Sequence, residues 1–213
     1  MIGCWSYTVI LTYIGLASAM TGISCSVLCA TGVMSNFAIP VYCLLFSGLC
    51  DMFDGKIART KKNRTEREKQ FGIQIDSLCD VVCFGVQPAV LGFCLGGNRI
   101  LGTVSMILMV LAGVVRLAYV DVIEMERRSD PENDDTSFTG LPITMSALIA
   151  PLAFCARGLL DANFPTFYQI CMIITAILFV SKFNIRKPGT KGLIVLVVSG
   201  LAVGFAILIL SKN

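Results

Sequence analysis

Residues 45–59 read LFSGLCDMFDGKIAR and residues 71–85 read FGIQIDSLCDVVCFG. Both stretches have the apolar character of membrane helices, yet they carry Asp51, Asp54, Asp76 and Asp80. An aspartate at the centre of a span costs about 2.5–3.5 kcal/mol on insertion scales, so four cost on the order of 10 kcal/mol unless something compensates them. Spacing says what that is. Positions i, i+3 and i+4 share a helix face, which makes Asp51, Asp54, Gly55 and Ala58 one stripe and Gly72, Asp76 and Asp80 another. Consecutive spans run antiparallel, so the two stripes can face each other, and their small residues leave room for close approach or for a ligand. Four carboxylates carry the charge that two divalent cations cancel. Oxygen donors without His or Cys suit Mg²⁺ or Mn²⁺, so the expected site is a two-metal carboxylate centre. An N-cap explanation fits poorly, because Asp51 and Asp54 sit near the C-terminal end of their helix, where the macrodipole disfavours anions.

Working outward, 55% of the 213 residues are hydrophobic and 15% are charged, with mean hydropathy +0.78. Soluble domains carry about 25% charge, so this is expected to be an all-α, polytopic membrane helix bundle forming a single domain over 1–213. Apolar windows place spans at 8–30, 36–58, 71–95, 99–120, 141–160, 164–181 and 191–211. The first lacks a basic leader region and a cleavage site, and is read as a retained span. Lys56, Arg59, Lys61, Lys62, Arg64, Arg67, Lys69, Arg127, Arg128, Lys182, Arg186, Lys187 and Lys191 fall on one side if the spans alternate; they are thirteen of the seventeen Lys and Arg. The positive-inside rule makes that side, and the carboxylates near it, cytoplasmic. The expected setting is a multi-pass protein of a bacterial cell membrane. Residues 121–138, rich in Asp and Glu, are expected to form a solvated loop.

Other chemistries are excluded by composition. With no histidine there is no Ser/His/Asp triad, no His-ligated zinc and no His nucleophile. A net charge of +3 does not suggest nucleic acid. The ten cysteines lie almost all in apolar runs without a Cys-x-x-Cys pair and are read as small apolar helix residues.

The order Asp51-Met-Phe-Asp54-Gly55-Lys-Ile-Ala58-Arg59, then Gly72-x-x-x-Asp76-x-x-x-Asp80, resembles the signature of the CDP-alcohol phosphatidyltransferases. One departure is clear: twelve residues separate Arg59 from Gly72, where that family usually has eight. The resemblance implies a six-helix transmembrane core, commonly a homodimer, with the seventh span as an addition. It implies that Asp51, Asp54, Asp76 and Asp80 hold the metals and that Asp80 also acts as general base. It implies that Gly55, Ala58, Arg59 and Gly72 contact the CDP moiety. Thr12 resembles the last residue of the family's Pro-Asn-x-Leu-Thr segment and is expected at the nucleotide, although the preceding Pro-Asn is absent.

Residues 76–89, with Arg116-Leu-Ala-Tyr119 and Phe138-Thr-Gly140-Leu141-Pro142, are similar to segments of the phosphatidylserine synthases of that family. The implied reaction transfers the phosphatidyl group of CDP-diacylglycerol to the hydroxyl of L-serine and releases CMP. Arg116 is a lone cation in an apolar span; it either holds the serine carboxylate or pairs with a site aspartate. Two competing readings remain. Glycerol 3-phosphate or an inositol phosphate would be the acceptor if a basic cluster lay at the site. A cation-coupled transporter would show midplane charges and an internal repeat.

Overall fold

The computed structural model describes residues 7–61, 65–129, 138–182 and 184–185, with Gly200, Ala202, Gly204, Phe205 and Ile207. A 3₁₀ turn at Tyr7–Val9 leads into α1 (Ile10–Ala30), followed by α2 (Ala38–Thr60) and α3 (Glu66–Asp80). One turn of π-helix at Val81–Val86 joins α3 to α4 (Gln87–Cys94) without a break. Then come α5 (Arg99–Ser129), β1 (Phe138–Thr139), α6 (Ser146–Cys155), the short α7 (Arg157–Leu160), α8 (Phe164–Val180) and β2 (Asn184–Ile185).

Among the described residues, five helical stretches are long and apolar enough to cross a membrane: Ile10–Ala30, Ala38–Ile57, Glu66–Cys94, Arg99–Glu126 and Ile143–Val180. The protein is a multi-pass helical bundle. The fifth stretch has 38 residues and would reach about 57 Å if straight, nearly twice a hydrocarbon core. It is folded back on itself. The chain turns at Ala156 and again at Asp161, whose φ is +40°. β1, before α6, pairs antiparallel with β2, after α8, with Phe138 opposite Ile185. The two ends of the stretch therefore meet, and α6 and α8 form a hairpin that matches the separate spans expected at 141–160 and 164–181. Phe154 and Phe164 close its tip edge to face at 5.7 Å. The expected span at 191–211 lies outside the described residues, except for five helical positions. One of these is Gly204, whose carbonyl accepts from the Tyr42 hydroxyl at 3.2 Å.

Two boundaries differ from the sequence reading. α3 starts at Glu66, because Thr65 and Glu68 form a reciprocal capping box: the Glu68 amide donates to Thr65 Oγ1 at 3.2 Å, and the Thr65 amide donates to Glu68 Oε2 at 3.1 Å. Asp76 is therefore well inside the helix. α5 continues to Ser129, so the expected loop at 121–138 begins as helix. Its acidic residues alternate with Val122 and Met125, and such a mixed pattern remains helical in the headgroup region.

The π turn has a cause in the sequence. Pro88 has no amide hydrogen to give the carbonyl of Phe84, four residues earlier. Ser146 on α6 fills the vacancy: its hydroxyl donates to Phe84 O at 2.7 Å. Close packing elsewhere depends on missing side chains. A Cβ on Gly48 would stand 2.8 Å from that of Ala147, and one on Gly22 would overlap the Gln87 amide.

Candidate active site

The carboxylates converge between α2 and α3. Oxygens of Asp51, Asp76 and Asp80 all lie within 4.8 Å of one another, on groups that are only partly exposed. Asp54, one turn after Asp51 and 7% exposed, joins them in two ways. Its carboxyl is within hydrogen-bonding reach of that of Asp76, and its Oδ2 accepts from Thr12 Oγ1 of α1 at 2.9 Å. A small cavity beside them is lined by Thr12, Gly15, Ser47, Asp51, Asp54 and Asp80. Beyond Gly55 the space is open, as expected of a position that borders a ligand.

No basic side chain among the described residues forms an ion pair with these aspartates; the ion pairs there are Lys61–Glu68 at 2.9 Å and Lys69–Glu66 at 2.6 Å. Oδ1 of Asp76 is buried without a hydrogen-bond partner. A buried acceptor left unpaired costs roughly 1–3 kcal/mol, and more for a charged group, so an arrangement of acceptors facing acceptors needs a cation. The residues fit a divalent metal: all donors are hard oxygens, close together, on two rigid helices. Lys61–Glu68 links the end of α2 to the start of α3.

Other expected site residues are placed as follows. Gly72 lies on α3 one turn before Asp76. Ala58 and Arg59 continue the helical backbone of α2, while their side chains lie outside the described residues. Thr12 is at the site, but its hydroxyl donates to Asp54. Arg116 is 5% exposed. Its Nε donates to Leu141 O at 3.1 Å and its Nη2 to Gly140 O at 3.4 Å. Gly140 has φ +81°, and a Cβ there would come within 2.8 Å of Ser181 O, so only glycine presents these carbonyls to Arg116 without strain. Among the described residues Arg116 has no carboxylate partner, and the pairing with a site aspartate is not formed.

The sequence reading missed two contacts. Ser146 supports the π turn that directly follows Asp80; Pro88 was the available signal. Ser77, next to Asp76, donates to Asp121 of α5 at 2.9 Å; no local spacing links residues 44 positions apart.

With this geometry in place, comparison with known proteins decides the family. The family description CDP-alcohol phosphatidyltransferase matches residues 7–208. The chain belongs to this family. CDP-alcohol phosphatidyltransferases use divalent metal, which agrees with the cluster of unpaired carboxylates. The chain is also similar to the CDP-diacylglycerol–serine O-phosphatidyltransferase of Saccharomyces cerevisiae, with 31% identity over 161 residues, 72% of this chain and 56% of that one. To the enzyme of the same name from Helicobacter pylori it is 29% identical, over 73% of this chain and 63% of that one. To the archaetidylserine synthase of Methanothermobacter thermautotrophicus it is 31% identical, over 70% and 58%. The chain thus spans less than two thirds of the length of these relatives.

Proposed function

We propose that this chain transfers the phosphatidyl group of CDP-diacylglycerol to L-serine, giving phosphatidylserine and CMP. The convergence of Asp51, Asp76 and Asp80, with Asp54 beside them and no counter-cation among the described residues, carries the phosphotransfer part of the reading. The acceptor part is supported by the relatives: their names differ in the lipid but share serine.

Asp51, Asp54, Asp76 and Asp80 would hold two Mg²⁺ or Mn²⁺ ions. Bound there, the ions supply charge neutralisation to the diphosphate and to the oxygens that gain charge during transfer. Thr12 keeps Asp54 in its ligand rotamer, as outer partners of metal ligands do. Asp80 takes the proton of the serine hydroxyl as its oxygen bonds to the β-phosphorus and the bond from that phosphorus to the CMP oxygen breaks. With no histidine in the chain, direct displacement is favoured over a phosphoryl-enzyme intermediate. Gly55, Ala58, Arg59 and Gly72 would border the CDP moiety. Arg116 would offer its remaining nitrogen to the serine carboxylate. The site faces the cytoplasm in this reading, on the side favoured by the basic connections. The working assembly is a homodimer.

The test is CMP release from CDP-diacylglycerol with a panel of alcohols, with and without added Mn²⁺ or Mg²⁺. L-Serine is expected to be the best acceptor. Preference for glycerol 3-phosphate would overturn the acceptor assignment, and full activity after metal removal would overturn the metal site.

A further inference from the structure

The turn that follows Asp80 is held from three sides. Phe84 of this π turn, 1% exposed, lines the small cavity together with Asp51, Asp54 and Asp80. From α6, the wholly buried Ser146 donates its hydroxyl to Phe84 O at 2.7 Å. From α2, Gly48 lies one turn before Asp51; a Cβ there would stand 2.8 Å from that of Ala147 and 4.0 Å from the Phe84 ring. From α5, a Cβ on Gly113 would come within 3.8 Å of Gly85 Cα. Ser146 and Ala147 at the start of α6 thus meet α2 one turn from Asp51 and the π turn one turn from Asp80.

This turn matters to the site because it holds one residue more than an α-helical turn: the Gln87 amide donates to Val82 O, five residues back. An α-helix advances about 100° per residue, so the extra residue rotates everything before the turn by about that angle relative to everything after it. The part after it is anchored. Gln87 Nε2 donates to Pro40 O at 3.1 Å, and the Tyr168 hydroxyl to Pro88 O at 3.4 Å. Any adjustment of the turn therefore falls on the side that carries Asp80. Pro88 has no amide hydrogen to offer Phe84 O, and the Ser146 hydroxyl holds that carbonyl from the neighbouring helix.

We propose that Ser146 is a positioning residue for Asp80, holding the π turn in the setting that aims the Asp80 carboxylate at the acceptor hydroxyl. This rests on the reading of Asp80 as general base and adds a group outside the carboxylate cluster on which its aim depends. Ser146 acts through the backbone of residues 81–84 and touches neither metal nor substrate.

The experiment is a double-mutant cycle on the full chain: wild type, Ser146→Ala, Asp80→Asn and the two together. The kcat of CMP release is measured per folded molecule at saturating Mn²⁺ and L-serine. Ser146→Ala is expected to lower kcat about tenfold, short of the roughly hundredfold loss that a 1 Å misplacement can cause. KM for CDP-diacylglycerol should stay unchanged. In the Asp80→Asn background the same substitution should change kcat by less than about twofold, because there is no longer a base to aim. Ser146→Cys keeps the size with a weaker donor and should lower kcat by less; it carries the cycle if the alanine variant does not fold. An equal fall in both backgrounds overturns the proposal in favour of a purely structural role, and an unchanged kcat in Ser146→Ala overturns it as well; both leave the base reading intact. Wild-type turnover in Asp80→Asn overturns the base reading and the proposal with it.

Discussion

Both ends of the bundle bury polar groups and both leave an acceptor unpaired, Oε1 of Gln87 and of Gln169 at one end and Oδ1 of Asp76 at the other, but only the glutamines have donors of their own to spend. At the end away from the aspartates, Gln87, Tyr168 and Gln169 are each at most 1% exposed. They spend their donors on carbonyls of neighbouring helices: Gln87 Nε2 to Pro40 O at 3.1 Å, the Tyr168 hydroxyl to Pro88 O at 3.4 Å and Gln169 Nε2 to Gly96 O at 2.8 Å. These are cross-braces between helices, each worth about 0.6 kcal/mol in a membrane. At the other end Asp51, Asp54, Asp76 and Asp80 are acceptors facing acceptors, and among the described residues Thr12 donates to Asp54 from another helix. A bundle selected only for stability would not gather them. The contrast separates polar groups that hold the fold from polar groups held by it, and Arg116 and Asp121 lie on the border.

If the contrast is real, substitutions at the two ends should fail in different ways. The largest effect is expected from Asp80→Asn, with turnover down about 10²- to 10⁴-fold as the base is lost. Thermal unfolding of the metal-free protein should stay at or above the wild-type temperature, because a repulsive charge is gone. A loss of activity merely parallel to a loss of folded protein would erase the distinction. Thr12→Val comes next. It removes the hydrogen bond that orients Asp54, and the metal concentration for half-maximal CMP release should rise about tenfold to a hundredfold. Saturating metal should restore most of the turnover.

Ser146→Ala tests the support of the π turn. It removes the hydroxyl that donates to the Phe84 carbonyl and should lower stability by about 1 kcal/mol, read from denaturation in detergent. The smallest effect belongs to the far end: Tyr168→Phe should cost about 0.6 kcal/mol and leave CMP release per folded molecule unchanged. A large activity loss there would mean that the two ends are coupled.

Much of this division is legible in the sequence. Helix spacing groups Asp51 with Asp54 and Asp76 with Asp80, antiparallel succession turns the pairs toward each other, and the first six spans follow from apolar length. What spacing cannot give is contact between distant elements. Thr12 meets Asp54 across 42 positions and Ser77 meets Asp121 across 44. Arg116 shows the same limit. Its isolation in an apolar span is visible at once, but its carbonyl partners depend on the positive φ of Gly140 and the return of α8 beside it. The start of α3 was readable from Thr65 and Glu68, yet the basic connection around them obscured it. The acidic residues after Tyr119 hid the continuation of α5, because charge density suggests a loop even where the helix simply leaves the hydrocarbon.

The most direct test of the central claim is equilibrium binding of Mn²⁺ to the purified, metal-stripped chain, followed by electron paramagnetic resonance in the absence of substrate. The carboxylate centre is expected to take up two Mn²⁺ per chain, with binding strongly weakened in Asp51→Asn and Asp76→Asn and unchanged in Tyr168→Phe. Binding that is absent in the wild type, or equal in all four proteins, would contradict the assignment of these aspartates as a metal site.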